Sequence, residues 1–100
     1  ISLSSMAKAE LLSLARGSNR VQDRLEALER FAEPLTVLPF DDRCAEEYGQ
    51  ICAQLGSRGL ALEPADLINA ATARAYDATL VTRDARRFND ITGLRLVQWK

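Results

Sequence analysis

Segments with helical periodicity alternate with short apolar, strand-like runs along this sequence, and the links between them are short. Alternation of that kind favours parallel strands wrapped by helices over a bundle or a sandwich. Ile1 to Ser5 alternates apolar and polar residues as a short strand does. Ser4 or Ser5 then caps a helix to about Arg16, because a short hydroxyl side chain satisfies the free N–H groups of a first turn. Gly17, Ser18 and Asn19 stop it. From about Arg20 to Ala32, Val21, Leu25, Leu28 and Phe31 or Ala32 recur at helical spacing among charges, which predicts one dry face and one wet face.

Leu35 to Phe40 reads as a buried strand with Pro39 near its close. Asp41 or Asp42 caps a third helix that carries Ala45, Tyr48, Ile51, Cys52 and Leu55 toward a core, until Gly56, Ser57 and Gly59 interrupt it. Proline suits the first helical position, where its missing N–H costs nothing, so a fourth helix runs from Pro64 to about Tyr76. Ala78 to Thr82 reads as a strand, Ala85 to about Ile91 as a helical turn, and Leu94 to Trp99 as a final strand. No internal repeat or linker divides the chain, and residues 1–100 are expected to form a single domain.

Composition narrows the chemistry. One hundred residues with 47% hydrophobic content suffice for one core. Thirteen basic and fourteen acidic side chains leave a net charge of −1, so any RNA contact must come from a local patch. Histidine is absent, which removes Ser/His/Asp and Cys/His schemes and the commonest zinc ligand. Carboxylates are left to carry any catalysis. Cys44 and Cys52 lie too far apart on one helix to bond to each other and read as reduced thiols. No run has the apolar length of a membrane span or the pattern of a signal peptide, so no membrane partner is expected and the chain is placed in the cytoplasm.

Three acids stand out. Glu10 lies at steps of four on the line from Met6 to Leu14, inside an otherwise apolar sector, without a basic residue three or four places away. It either tilts to solvent or is held inward to bind something. Asp66 falls at about the third position of the fourth helix, where a carboxylate stabilises the first turn by about 0.3–1 kcal/mol with no function required. Asp84 follows the apolar strand; it can cap the next turn and pair with Arg87 three residues on. Asp66 and Asp84 occupy a helix start and a strand end, the places where an α/β sheet gathers ligands, and Glu10 completes the set. Clustered carboxylates repel unless a cation sits among them. Asp77 and Asp90 read as solvated. Lys8, Arg16, Arg20, Arg83, Arg86 and Arg87 are candidate phosphate contacts.

The order I-S-L-S-S-M-A-K-A-E-L, then P-A-D-L-I-N-A-A-T-A, then T-L-V-T-R-D, and finally G-L-R-L-V-Q-W resembles the PIN-domain ribonucleases. The likeness is greatest to the VapC toxins of bacterial toxin–antitoxin pairs, and it covers nearly the whole chain. It implies an α/β, helix-rich fold, a PIN-like parallel sheet flanked by helices. It also implies Mg2+ or Mn2+ held by Glu10, Asp66 and Asp84, with Thr82 at a strand-end hydroxyl position beside them. The metal would activate a water for attack on an RNA phosphodiester. The implied partners are RNA substrate, a cognate antitoxin and a second copy in a homodimer.

Two departures bear on the ligand set. Members of the family usually begin with an aspartate-bearing strand, in a pattern like L-D-T, and a helix, and this sequence starts beyond both. The resemblance therefore implies an N-terminally incomplete fold. The position before Phe88, often acidic in the family, is Arg87 here. The alternative is a truncated, non-catalytic PIN module that dimerises or binds an antitoxin. A receiver-like domain using Asp84 as a phosphate acceptor is the poorer third.

Overall fold

In the computed structural model the chain is described over residues 2–82 and 84–98, with the side chains of all but residues 59–61. It divides into two compact units, Ile1–Pro39 and Phe40–Lys100. The architecture is helix-rich α/β with short parallel strands.

The first unit comprises β1 (Ser2–Ser4), α1 (Ser5–Arg16), α2 (Val21–Ala32) and β2 (Thr36–Leu38). The Ser4 hydroxyl accepts the N–H of Ala7 at 3.0 Å, the expected cap. Gly17 and Ser18 close the helix on the carbonyls of Ser13 and Ala15. β1 and β2 pair in parallel, with Leu3 opposite Val37. The buried strand expected at Leu35 to Phe40 is in fact three residues long, with Thr36 and Val37 exposed. It has a single pairing partner among the described residues, so its apolar composition does not translate into burial. The dry face of α2 is formed by Val21, Leu25, Leu28 and Ala32, all half-buried, whereas Phe31 is 59% exposed.

The second unit comprises α3 (Asp42–Leu55), a 3-10 segment (Gly56–Ala61), α4 (Pro64–Ala75), β3 (Thr79–Thr82), a 3-10 turn (Ala85–Phe88) and β4 (Arg95–Gln98). Its core joins Ile51, Leu55, Leu62, Leu67, Ala70, Ala71, Phe88 and Ile91. The face of α3 turned inward is Cys44, Tyr48, Ile51 and Leu55, and the expected Ala45 and Cys52 are exposed. Steps of four and three run through both sets, and packing against α4 selects one. Cys44 and Cys52 are both thiols outside any disulfide. Small side chains at positions 70, 71 and 73 of α4 let it approach its neighbours closely, and the buried Thr72 hydroxyl donates to the Ile68 carbonyl at 2.8 Å.

Arg74 locks the unit from the side. Its Nε donates to Glu47 Oε2 at 2.6 Å and its Nη1 to the Thr92 carbonyl at 3.1 Å, so α3, α4 and the approach to β4 share one cation. At the end of α4 the Ala78 N–H reaches the Ala73 carbonyl at 2.7 Å, and Asp77 takes a left-handed φ of 53°. That closure reverses the chain into β3. β3 and β4 pair in parallel, Leu80 opposite Leu96 and Val81 opposite Val97. The leucines pack on the core, while Val81 and Val97 lie exposed on the opposite face. Asp77 and Asp90 are solvated as expected, with Arg95 and Arg58 nearby.

The start of α3 carries a titrating contact. Asp41 caps the helix by accepting the Cys44 N–H at 3.2 Å, and it also accepts the Tyr76 hydroxyl. Arg43 lies 4.8 Å over the Tyr76 ring. The Tyr76 hydroxyl and the Cys44 N–H hold the Asp41 carboxyl below its ordinary range, and the Asp41 carboxylate pushes the Tyr76 phenol up. A carboxyl lowered in the folded state stabilises above its unfolded pKa of about 4, and that contribution is lost as pH falls through the folded value. A phenol raised in the folded state stabilises below about 10, and its contribution is lost as pH rises through the folded value. Tyr76→Phe should therefore unfold at lower urea than the parent across neutral pH, with the gap narrowing toward both extremes. A gap independent of pH would show that the pair does not titrate with folding.

Candidate active site

Asp66 sits at the third position of α4, as expected from Pro64 at the first. It forms a reciprocal capping box with Glu63: the Glu63 N–H donates to Asp66 Oδ2 at 3.3 Å, and the Asp66 N–H is matched by the Glu63 side chain. Its Oδ2 also accepts from Arg87 Nη2 in an ion pair. The Asp66 side chain is 22% exposed and that of Arg87 39%, so the pair lies at a half-dry surface.

Asp84 follows β3 and opens the Ala85–Phe88 turn. Its N–H donates to the Thr82 hydroxyl at 3.3 Å, which ties the strand-end threonine to the acid beside it. Its carbonyl accepts the Arg87 N–H at 3.3 Å. The side-chain pairing differs from the sequence expectation. Arg86 lies 3.6 Å from Asp84 Oδ1, and Arg87 reaches Asp66 instead. The backbone of Asp84, at φ −134° and ψ 84°, lies outside the turn's helical geometry, so the three-residue spacing to Arg87 does not bring their side chains together.

One short turn thus connects two of the three candidate acids. Its first flank is Asp84, its Arg87 is on Asp66, and its Phe88 is anchored in the core. Arg86, read from the sequence as a phosphate contact, and Arg87, read as a phosphate contact or a partner of Asp84, are the immediate cationic partners of these acids. The available signal was Arg87 itself, a basic residue at a position that is often acidic in the resembled family. Arg83 lies outside the described residues.

Glu10 belongs to the first unit and is exposed on α1. The line through Met6, Glu10 and Leu14 is not the inward face of that helix: Leu14 is 73% exposed, and burial is deepest at Ala15. Among the described residues, no group of three or more His, Cys, Asp or Glu side chains gathers at metal-binding spacing. Asp66 and Asp84 fit a hard divalent cation by chemistry, since Mg2+ is commonly held by one or two carboxylates and keeps several waters. No helix among the described residues is long and apolar enough to cross a membrane.

The PIN domain pattern matches residues 1–94. The chain belongs to the PIN domain family. It is 32% identical to Ribonuclease VapC2 of Rickettsia felis over 99 residues, covering 99% of this chain and 74% of that protein. It is 33% identical to the tRNA(fMet)-specific endonuclease VapC of Shigella flexneri, covering 97% and 74%. The fold superposes on a crystal structure of VapBC2 from Rickettsia felis, bound to a DNA fragment from their promoter, with a TM-score of 0.92 at 32% identity. That match covers all of this chain and 75% of the other.

Proposed function

We propose that this protein is a VapC-type endoribonuclease toxin that hydrolyses RNA phosphodiester bonds through a carboxylate-bound Mg2+ or Mn2+. The observation carrying this reading is the match over residues 1–94, to a family whose similar members include a ribonuclease and a tRNA endonuclease. Support from the geometry comes from Asp66 and Asp84, attached to opposite ends of one turn in the same unit.

Asp66 and Asp84 would hold the cation, and Glu10 is assigned to it by the family resemblance alone. When bound, the cation would polarise a phosphoryl oxygen and supply an activated water. The chain's own part is positioning. The capping box fixes Asp66 at the start of α4, the Thr82 hydroxyl orients the backbone at Asp84, and Phe88 anchors the turn beneath both. An antitoxin is the proposed protein partner, in keeping with the VapBC complexes among the structural neighbours. A homodimer in the cytoplasm completes the proposal.

The test is cleavage of a tRNA pool, initiator tRNA included, by the purified protein with Mg2+ or Mn2+ and with the metal removed by EDTA. Defined fragments that form with metal and disappear with chelator are expected. Intact RNA in every condition, with antitoxin binding retained, would instead establish the non-catalytic module. That second reading is favoured by the arginines already paired with both candidate acids of the second unit.

A further inference from the structure

Arg87 and Asp66 are far apart in sequence, yet the guanidinium reaches the carboxylate oxygen that also caps α4. The backbone beneath Arg87 has little freedom. Its N–H is bonded to the Asp84 carbonyl, and the next residue, Phe88, is 3% exposed. The guanidinium can therefore leave Asp66 only by rotation of its own side chain. Arg86 contrasts with it, being 88% exposed and 3.6 Å from Asp84, a contact of the kind that contributes little in water.

We propose that Arg87 is a built-in competitor of the divalent cation, a tethered counter-cation that must release Asp66 before metal can bind there. This rests on the reading of Asp66 as a metal ligand. The Oδ2 oxygen held by the Arg87 Nη2 is not available to a hard cation, and the two positive charges repel at one site. If the pair is formed in about nine molecules of ten, apparent metal affinity falls about tenfold, in proportion to the fraction of competent protein. The cation then enters as Arg87 turns outward, where it becomes available to an anionic partner.

The experiment is calorimetric titration of Mn2+ into the full chain and into Arg87→Gln, Arg86→Gln and Asp66→Asn, without RNA. Arg87→Gln should bind Mn2+ about tenfold more tightly than the parent. Arg86→Gln should differ by less than about twofold, and Asp66→Asn should lose saturable binding. A purely structural role for Arg87 predicts the opposite sign, since loosening the turn would weaken binding. Unchanged or weaker affinity in Arg87→Gln, with binding still lost in Asp66→Asn, overturns the competitor while leaving the metal site standing. Unaltered binding in Asp66→Asn overturns the metal-ligand reading and the competitor with it. A lack of saturable binding in Arg87→Gln also overturns the competitor.

Discussion

Asp66→Asn should lower metal-dependent RNA cleavage by about a hundredfold or more, because even residues that merely support a metal ligand are worth about 10–100-fold. The substitution separates two roles that coincide in this side chain. An asparagine at the third helical position keeps an oxygen for the Glu63 N–H, so the capping geometry survives. What it lacks is the charge for a cation. Loss of the favourable interaction with the helix start should cost only about 0.3–1 kcal/mol. Cleavage assays and urea unfolding on the same preparation therefore read different properties. Activity equal to the parent would reduce Asp66 to a helix cap, and a large fall in stability would make the activity result uninterpretable as chemistry.

The second large effect is on stability. Phe88→Ala should destabilise the protein by about 3–5 kcal/mol, since the ring is 3% exposed within the cluster of Ile51, Leu55, Leu67 and Ile91. Against a total stability of about 5–15 kcal/mol, that is a large share. The same residue ends the turn carrying Asp84, Arg86 and Arg87, so loss of the ring should disturb the candidate site as well as the core. A urea midpoint within the equivalent of about 1 kcal/mol of the parent would mean that the turn is held by something other than its phenylalanine.

Local signals made much of this legible from the residues alone. Ser4, Asp41 and Pro64 each mark a helix start, because capping chemistry is decided within three or four residues. The placement of Asp66 at the third position of α4 follows directly from that proline. The family likeness rests on the same local runs. Choices between nearly equivalent faces were less legible. On α3, Cys44 and Ala45 are both small and adjacent, and only the partner helix determines that Cys44 is buried and Cys52 exposed. Spacing rules likewise suggested Arg87 for Asp84, whereas the actual partner, Asp66, lies on another element. The exposure of β2 has a related cause: composition records how apolar a strand is, not how many neighbours cover it.

The uneven distribution of buried side chains has a consequence for the order in which the molecule gives way. Among the described residues of the first unit, Ala15 is the single buried hydrophobic, in a stretch that ends at Pro39. The second unit seals Ile51, Leu55, Phe88 and Ile91 into one cluster. Fixing a residue's backbone costs about 1–2 kcal/mol, and one buried alanine beside half-buried side chains such as Val21, Leu25 and Leu28 offsets less of that than a sealed cluster does. Amide protons of α1 and α2 should therefore exchange with solvent deuterium before those of α3 and α4. Glu10 accordingly lies in the unit with one buried hydrophobic among its described residues, while Asp66 and Asp84 lie in the unit with the sealed cluster.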